Sequence, residues 1–127
     1  MIVLIGLNHK TAPIAVRERV FTGCQEEKNL LASLRSVSGV GEVLYLSTCN
    51  RVEIIASVDE PEDAVKYLSD FLARSGGLTE AEAASCIYKC YDEEAVRHIF
   101  RVASSLDSLV MGETQILGQV KDAYRQA

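Results

Sequence analysis

The segment EVLYLSTCNRVEIIASV, residues 42–58, carries the clearest structural signal in the chain. Residues 42–46 form a largely apolar run, and residues 52–58 form a second run that is rich in β-branched side chains; both are typical of strands. Only residues 47–51 separate the two runs. The pattern therefore predicts two strands joined by a tight connection, with a cysteine in the turn.

The rest of the chain alternates helical and strand patterns around this segment. Residues 2–7 and 87–91 are predicted to be strands, and 13–20 and 26–36 are predicted to be helices. Residues 62–74 form an amphipathic helical pattern that ends at two glycines. Thr79 and Glu82 fit a capping box for a short helix, and Asp92 is expected to cap a helix over 93–105. A last helical pattern covers about 114–127.

This order predicts an α+β fold of the ferredoxin-like β-α-β-β-α-β type, with helices on one face of the sheet and extra C-terminal helices. The length of 127 residues fits a single domain, 1–127. We expect about 113–127 to lead into a linker helix. The pattern is still helical at Ala127, so we expect the chain to be part of a longer protein.

Composition restricts the possible partners. The net charge is −5, and the 13 Lys and Arg residues are scattered, which argues against an extended nucleic-acid surface. No apolar run reaches the roughly 18 residues that span a bilayer. The apolar start reads as a buried strand and not as a signal peptide, so we expect a cytoplasmic protein with no membrane contact.

The four cysteines fall into two groups. Cys24, Cys86 and Cys90 are expected to be buried as small hydrophobes, and a metal site on the C-x3-C pair is a weaker alternative because no second pair exists. Cys49 lies in the predicted turn, two residues before Arg51. An ordinary thiol is only about 3% thiolate at neutral pH, and a nearby cation raises that fraction. A reactive nucleophile and an inert cysteine both remain open for Cys49.

Two further features can carry chemistry. His98 lies at the edge of an apolar helical arc, so it is either a partly buried, hydrogen-bonded histidine or a general acid–base. His9 is expected to be a loop residue. In the segment at 104–119, helical spacing can bring Ser108, Gln115 and Gln119 to one side, and Gly112 and Gly118 allow close approach of a ligand. A solvated helix–turn–helix is the simpler interpretation. A Cys–His pair would indicate acyl transfer.

Three segments together resemble one family. GLNHKTAP (6–13), LSTCNRVE (46–53) and SLDSLVMGETQILGQVKDAY (105–124) are similar, in order and spacing, to the signature segments of glutamyl-tRNA reductase. The resemblance implies that a cysteine attacks the glutamyl ester of glutamyl-tRNA and forms a thioester. NADPH then reduces the thioester to glutamate-1-semialdehyde, which enters tetrapyrrole synthesis. It also implies a homodimer in the full-length enzyme and, as a possible partner, the downstream aminomutase.

The resemblance also assigns roles to residues. Cys49 matches the nucleophile, and His98 matches a histidine important for activity. The matching substrate-binding positions are Thr48, Asn50, Arg51, Ser108, Glu113, Thr114, Gln115 and Gln119. Arg51 is suited to grip a carboxylate, and Glu113 to pair with an ammonium group.

The family's nicotinamide-binding part has no counterpart in this sequence. No Gly-rich dinucleotide fingerprint occurs, so we expect no cofactor-binding residue and no metal ligand in this chain. Thioester formation followed by hydrolysis is then the expected activity of the fragment alone. The alternative is a non-catalytic ferredoxin-like regulatory or interaction module.

Overall fold

The computed structural model describes residues 1–48 and 50–104. These residues form an α+β fold with a four-stranded antiparallel sheet and five helices. The strands are β1 (Ile2–Asn8), β2 (Val40–Ser47), β3 (Arg51–Val58) and β4 (Tyr88–Tyr91). The helices are α1 (Ile14–Glu26), α2 (Leu30–Arg35), α3 (Pro61–Gly76), α4 (Glu80–Cys86) and α5 (Asp92–Ala103).

The strands lie in the order β2-β3-β1-β4, and each neighbouring pair is antiparallel. The central pair is in continuous register from Ile2 opposite Ser57 to Asn8 opposite Arg51. The hairpin of β2 and β3 places Ser47 opposite Val52. The predicted tight connection is therefore confirmed, and it lies at the same end of the sheet as the last residue of β1.

The first face of the sheet is covered by helices α1 to α4. Alternate residues of β1 and β3 point to this face, because successive side chains of a strand point to opposite sides. They pack against the apolar sides of α1 and α3 in the main core, whose members from β1 and β3 are Val3, Ile5, Leu7, Val52, Ile54, Ala56 and Val58. The predicted stripe on α3 is confirmed, since Ala64, Val65, Leu68, Phe71 and Leu72 are buried.

The second face of the sheet is covered by α5. Leu4 and Cys90 pack there against Ala95 of α5, and Leu46 packs against Val102. The expectation of helices on one face holds for α1 to α4, whereas α5, one of the extra helices, lies on the opposite face. This position decides the site, because polar residues of β1 and β3 also point to this second face.

The first two helices differ most from their predicted bounds. The helix predicted over 13–20 continues to Glu26, and the one predicted over 26–36 is reduced to α2, Leu30–Arg35. Asn29, just before α2, has a φ of 57°, in the left-handed region where a helix cannot continue. The side chains of Val20 and Cys24 are buried in the main core, so tertiary packing extends α1 beyond its local signal.

The cap predicted at Asp92 is wrong, whereas the capping box at Thr79 is confirmed. Asp92 is the first residue of α5 and its helix end has no side-chain cap. Its carboxylate instead accepts a hydrogen bond of 2.9 Å from the backbone N–H of Ile2. In the capping box, Glu82 N–H donates to Thr79 Oγ1 and Thr79 N–H donates to Glu82 Oε1.

The described residues contain no helix long and apolar enough to cross a bilayer. The linker helix expected at about 113–127 lies outside the described residues.

The crossing of α1 and α3 depends on Gly23. A Cβ at this position would lie 1.7 Å from the carbonyl oxygen of Ser75. We therefore expect Gly23→Ala to lower the free energy of unfolding by about 3 kcal/mol, although alanine is the better helix former. Urea unfolding measures the change. The exposed neighbour Thr22→Ala is the control and should be neutral, and equal stability of both variants would contradict the close packing.

Candidate functional site

The hairpin turn between β2 and β3 is held by Thr48. Its side-chain Oγ1 accepts hydrogen bonds from the N–H groups of Asn50 (3.0 Å) and Arg51 (3.1 Å). Its own N–H donates to the carbonyl of Arg51 at 2.8 Å. Thr48 is 6% exposed, so its hydroxyl stabilises the turn from a buried position. Asn50 is half-buried directly before β3.

Several predicted site residues lie outside the described residues. They are Cys49, Ser108, Glu113, Thr114, Gln115 and Gln119. The structure describes Thr48, Asn50, Arg51 and His98, and it connects Thr48 with Asn50 and Arg51 directly.

Arg51 and Glu53 form a buried ion pair on the second face of the sheet. Arg51 Nη1 donates to Glu53 Oε1 at 3.0 Å, and both side chains are 1% exposed. They are two residues apart on β3, so they point to the same side. A buried charge is stable only when a partner of opposite charge or a hydrogen bond compensates it. Here Arg51 and Glu53 compensate each other's charge.

The second oxygen of Glu53 is shared by two further side chains. His98 Nε2 lies 2.5 Å from Glu53 Oε2, and the Tyr88 hydroxyl donates to the same oxygen at 2.8 Å. The rings of Tyr88 and His98 are adjacent, with centroids 5.3 Å apart. A single carboxylate therefore joins β3, β4 and α5.

Asn8, the last residue of β1, connects this strand to the same group of side chains. Its Nδ2 donates to the Tyr88 hydroxyl at 3.3 Å. Its Oδ1 accepts from the N–H of Lys10 at 2.9 Å, which fixes the orientation of the amide. Asn8, Arg51, Glu53, Tyr88 and His98 are referred to below as the carboxylate cluster.

Gly6 makes room for the cluster. It lies opposite Glu53 in the register of β1 and β3. A Cβ at position 6 would approach Glu53 Cγ to 2.7 Å and the carbonyl oxygen of Val52 to 2.5 Å. Only glycine lets the side chain of Glu53 cross β1 at this point.

The electrostatics of Glu53 favour its ionised form. Burial raises the pKa of the carboxyl, but the hydrogen bond and charge of His98, together with Arg51, outweigh it and hold the pKa below its usual range. Burial and the adjacent Glu53 charge raise the pKa of Tyr88 far above its ordinary value. Tyr88 is therefore a neutral hydroxyl donor and Glu53 an anionic acceptor.

The charge of Glu53 determines the tautomer of His98. An ionised carboxylate only accepts hydrogen bonds, so Nε2 of His98 must carry a hydrogen. In its neutral state the imidazole then has its basic lone pair on Nδ1, and in its charged state both ring nitrogens carry a hydrogen. His98 is 14% exposed, and it borders an open groove of about 490 Å³ with Arg97, Arg101, Cys90 and two glutamates. The structure is compatible with both interpretations of His98 from the sequence. The side chain is partly buried and hydrogen-bonded, and its Nδ1 can accept or donate a proton.

The structure gives Arg51 a different partner from the one expected. Its Nη1 is bonded to Glu53, so its grip on a substrate carboxylate remains a prediction. Sequence reasoning missed Glu53, Tyr88 and Asn8. The available signal was a charge at position 53 inside a strand of apolar residues, together with an asparagine directly after the buried strand predicted at 2–7.

The remaining cysteines are buried, as expected. Cys24 and Cys86 belong to the core on the first face, whereas Cys90 lies in the cluster on the second face. The sheet therefore separates Cys86 from Cys90, which argues against one metal ion between them. Burial and Glu94 raise the pKa of Cys90 to about 11. His9 lies in the turn that follows β1, as expected.

Three of the described glycines do not fit a nicotinamide dinucleotide site. Such a site needs glycines that let the pyrophosphate approach the backbone at a helix N-terminus. Gly6, Gly23 and Gly76 are instead filled by contacts within their own domain.

Comparisons with known proteins identify the family of the chain. A family model described as the N-terminal domain of glutamyl-tRNAGlu reductase matches residues 5–127. The chain is 53% identical over 128 residues to a glutamyl-tRNA reductase of Syntrophus aciditrophicus, covering 99% of this chain and 30% of that protein. It is 47% identical to one of Syntrophobacter fumaroxidans, covering 99% of this chain and 28% of that protein.

A solved structure is also similar. Glutamyl-tRNA reductase from Methanopyrus kandleri superposes with a TM-score of 0.77 at 32% identity, over 99% of this chain and 28% of that chain. The chain thus spans less than a third of the length of the proteins it matches.

The lowered pKa of Glu53 predicts a pH dependence of stability. A carboxyl with a depressed folded-state pKa stabilises the fold above its unfolded pKa of about 4.3 and loses this contribution as the pH falls through the folded-state value. We expect Glu53→Gln to be less stable at neutral pH and to show a weaker loss of stability in acid. Urea unfolding from pH 7 to acid measures both effects. The exposed Glu42→Gln should follow the wild type, and an unchanged acid slope in Glu53→Gln would contradict the assignment.

Proposed function

Because the chain belongs to the family of glutamyl-tRNA reductase N-terminal domains, we propose that it performs the acyl-transfer step of that enzyme. Cys49 attacks the carbonyl carbon of the glutamyl ester of glutamyl-tRNA. The new bond joins sulfur to this carbon, and the bond to the ribose oxygen of the tRNA breaks. The thiol proton ends on the departing ribose hydroxyl, so the products are a thioester on the protein and free tRNA.

The observation that carries the proposal is the buried Glu53 carboxylate bonded to His98. Glu53 follows Cys49 by four residues, and the pair with Arg51 connects it to the turn held by Thr48. In this arrangement Glu53 orients the ring of His98 through Nε2 and leaves Nδ1 as the basic atom. We assign His98 the transfer of the thiol proton, in the manner of a nucleophile, a base and an orienting carboxylate.

The substrate contacts belong to the same proposal. Thr48, Asn50 and Arg51 surround the position of Cys49 in the chain. The further substrate-binding positions are Ser108, Glu113, Thr114, Gln115 and Gln119. A net charge of −5 suits a domain that holds only the aminoacylated end of the tRNA, because a larger contact would need many more basic residues.

The remaining steps are assigned to the longer protein. On the family resemblance we infer that NADPH, bound outside this chain, reduces the thioester to glutamate-1-semialdehyde for tetrapyrrole synthesis. The full-length protein would then be a homodimer that passes its product to an aminomutase. The strand order β2-β3-β1-β4 with antiparallel neighbours supports classing the fold as ferredoxin-like.

Acyl transfer to Cys49 is tested with glutamyl-tRNA that carries a radiolabelled glutamate. After an acid quench we expect label on the wild-type chain and none on Cys49→Ser, because the alcohol is a much weaker nucleophile than a thiolate. Cys90→Ala is the matched control and should be labelled like the wild type. A folded wild-type chain without label, or equal label on Cys49→Ser, would refute the proposal.

The role of His98 is tested by the rate of the same reaction. A positioned general acid–base typically contributes about 10²- to 10⁴-fold, so we expect His98→Asn to slow acylation by at least 100-fold at neutral pH. Single-turnover quenched-flow measurements give the rate. Arg97→Gln, on the exposed side of the same helix, is the control. A His98→Asn rate within a factor of about three of the wild type would exclude the role.

A further inference from the structure

The hydroxyl of Tyr88 belongs to a chain of hydrogen bonds in which the donor and the acceptor of each bond can be assigned. Lys10 N–H donates to Asn8 Oδ1, so the opposite side of that amide presents Nδ2–H to Tyr88. The Tyr88 oxygen accepts this hydrogen and therefore points its own hydrogen at Glu53 Oε2, 2.8 Å away. A hydroxyl with one acceptor and one donor contact has no freedom to rotate.

Tyr88 also contacts His98, the second side chain that binds Glu53 Oε2. Glu53 Oε2 receives both the Tyr88 hydroxyl and Nε2 of His98, and the two rings lie 5.3 Å apart at 48°. Glu53 Oε1 is occupied by Arg51. The carboxylate plane is thus set by Arg51 on one oxygen and by Tyr88 on the other, and the position of His98 follows from that plane.

We propose that Tyr88 is a positioning residue for the acyl-transfer reaction: its hydroxyl, oriented by Asn8, holds the Glu53 carboxylate in the plane that presents His98. Tyr88 acts through Glu53, to which its hydroxyl donates, and through His98, whose ring lies beside its own. The inference rests on the proposed function for its kinetic consequence, whereas its structural part is independent of any reaction.

The structural part is tested by NMR on the 127-residue chain. Tyr88→Phe removes the hydroxyl and keeps the ring beside His98. With one donor fewer, the ionised form of Glu53 is less stabilised, so the carboxyl carbon of Glu53 should titrate at a higher pH than in the wild type. The Glu53→Gln spectrum assigns the signal. Tyr91→Phe, which removes a half-exposed hydroxyl from the same strand, should leave this titration unchanged.

The kinetic part is tested by a double-mutant cycle on acylation. We expect Tyr88→Phe to slow single-turnover acylation about 10-fold, less than the loss expected for His98→Asn itself, without a change in the half-saturating concentration of glutamyl-tRNA. In the His98→Asn background Tyr88→Phe should have no further effect, because the residue that it positions is gone. A merely structural role would instead slow both backgrounds equally.

The outcomes separate the two proposals. If the wild type is acylated and the Glu53 titration moves, but Tyr88→Phe slows both backgrounds alike, the positioning role is wrong and the proposed function stands. If the titration of Glu53 does not move in Tyr88→Phe, the positioning role is wrong whatever the kinetics. If the wild type is not acylated, the proposed function fails, and the titration alone decides whether Tyr88 holds Glu53.

Discussion

A single buried negative charge, the carboxylate of Glu53, determines the arrangement of the second face of the sheet. The side chain is 1% exposed, and a charge removed from water in this way is stable only when donors replace the lost hydration. Arg51, Tyr88 and His98 are those donors. Because they come from β3, β4 and α5, the need to compensate one charge ties three elements together.

The two faces of the sheet have different tasks. The first face packs apolar side chains against α1 to α4, so its contribution is stability. On the second face α5 covers a smaller apolar patch and supplies His98 to the cluster. Gly6 is needed for this arrangement, because a side chain at position 6 would collide with Glu53 where Glu53 packs against β1.

The cluster is connected to the hairpin turn through the backbone and through Arg51. Thr48 accepts from the N–H of Arg51, while the guanidinium of Arg51 is bonded to Glu53. The turn that precedes β3 and the histidine on α5 are therefore held by one rigid set of contacts. For the role proposed for His98 this is an advantage, because a side chain that is already held in place loses little entropy when a substrate binds.

Much of this protein was predictable from local sequence. All four strands, the turn at 47–51, the stripe of α3 and the capping box at Thr79 follow from periodicity and from short-range hydrogen bonding, which act over a few residues. The signature segments also indicated the family. The expected roles of Cys49 and of the residues at 108–119 rest on that resemblance and stay predictions.

Tertiary structure alone decided the rest. Asp92 does not cap α5, because its carboxylate accepts a hydrogen bond from the N–H of Ile2, which is 90 residues away in the chain. The partnership of Glu53 with His98 spans 45 residues, and no local pattern encodes it. The sequence by itself determined which segments are strands and helices, because backbone periodicity is local; only the folded sheet decided which polar side chains share its second face, because that depends on register and on the packing of α5.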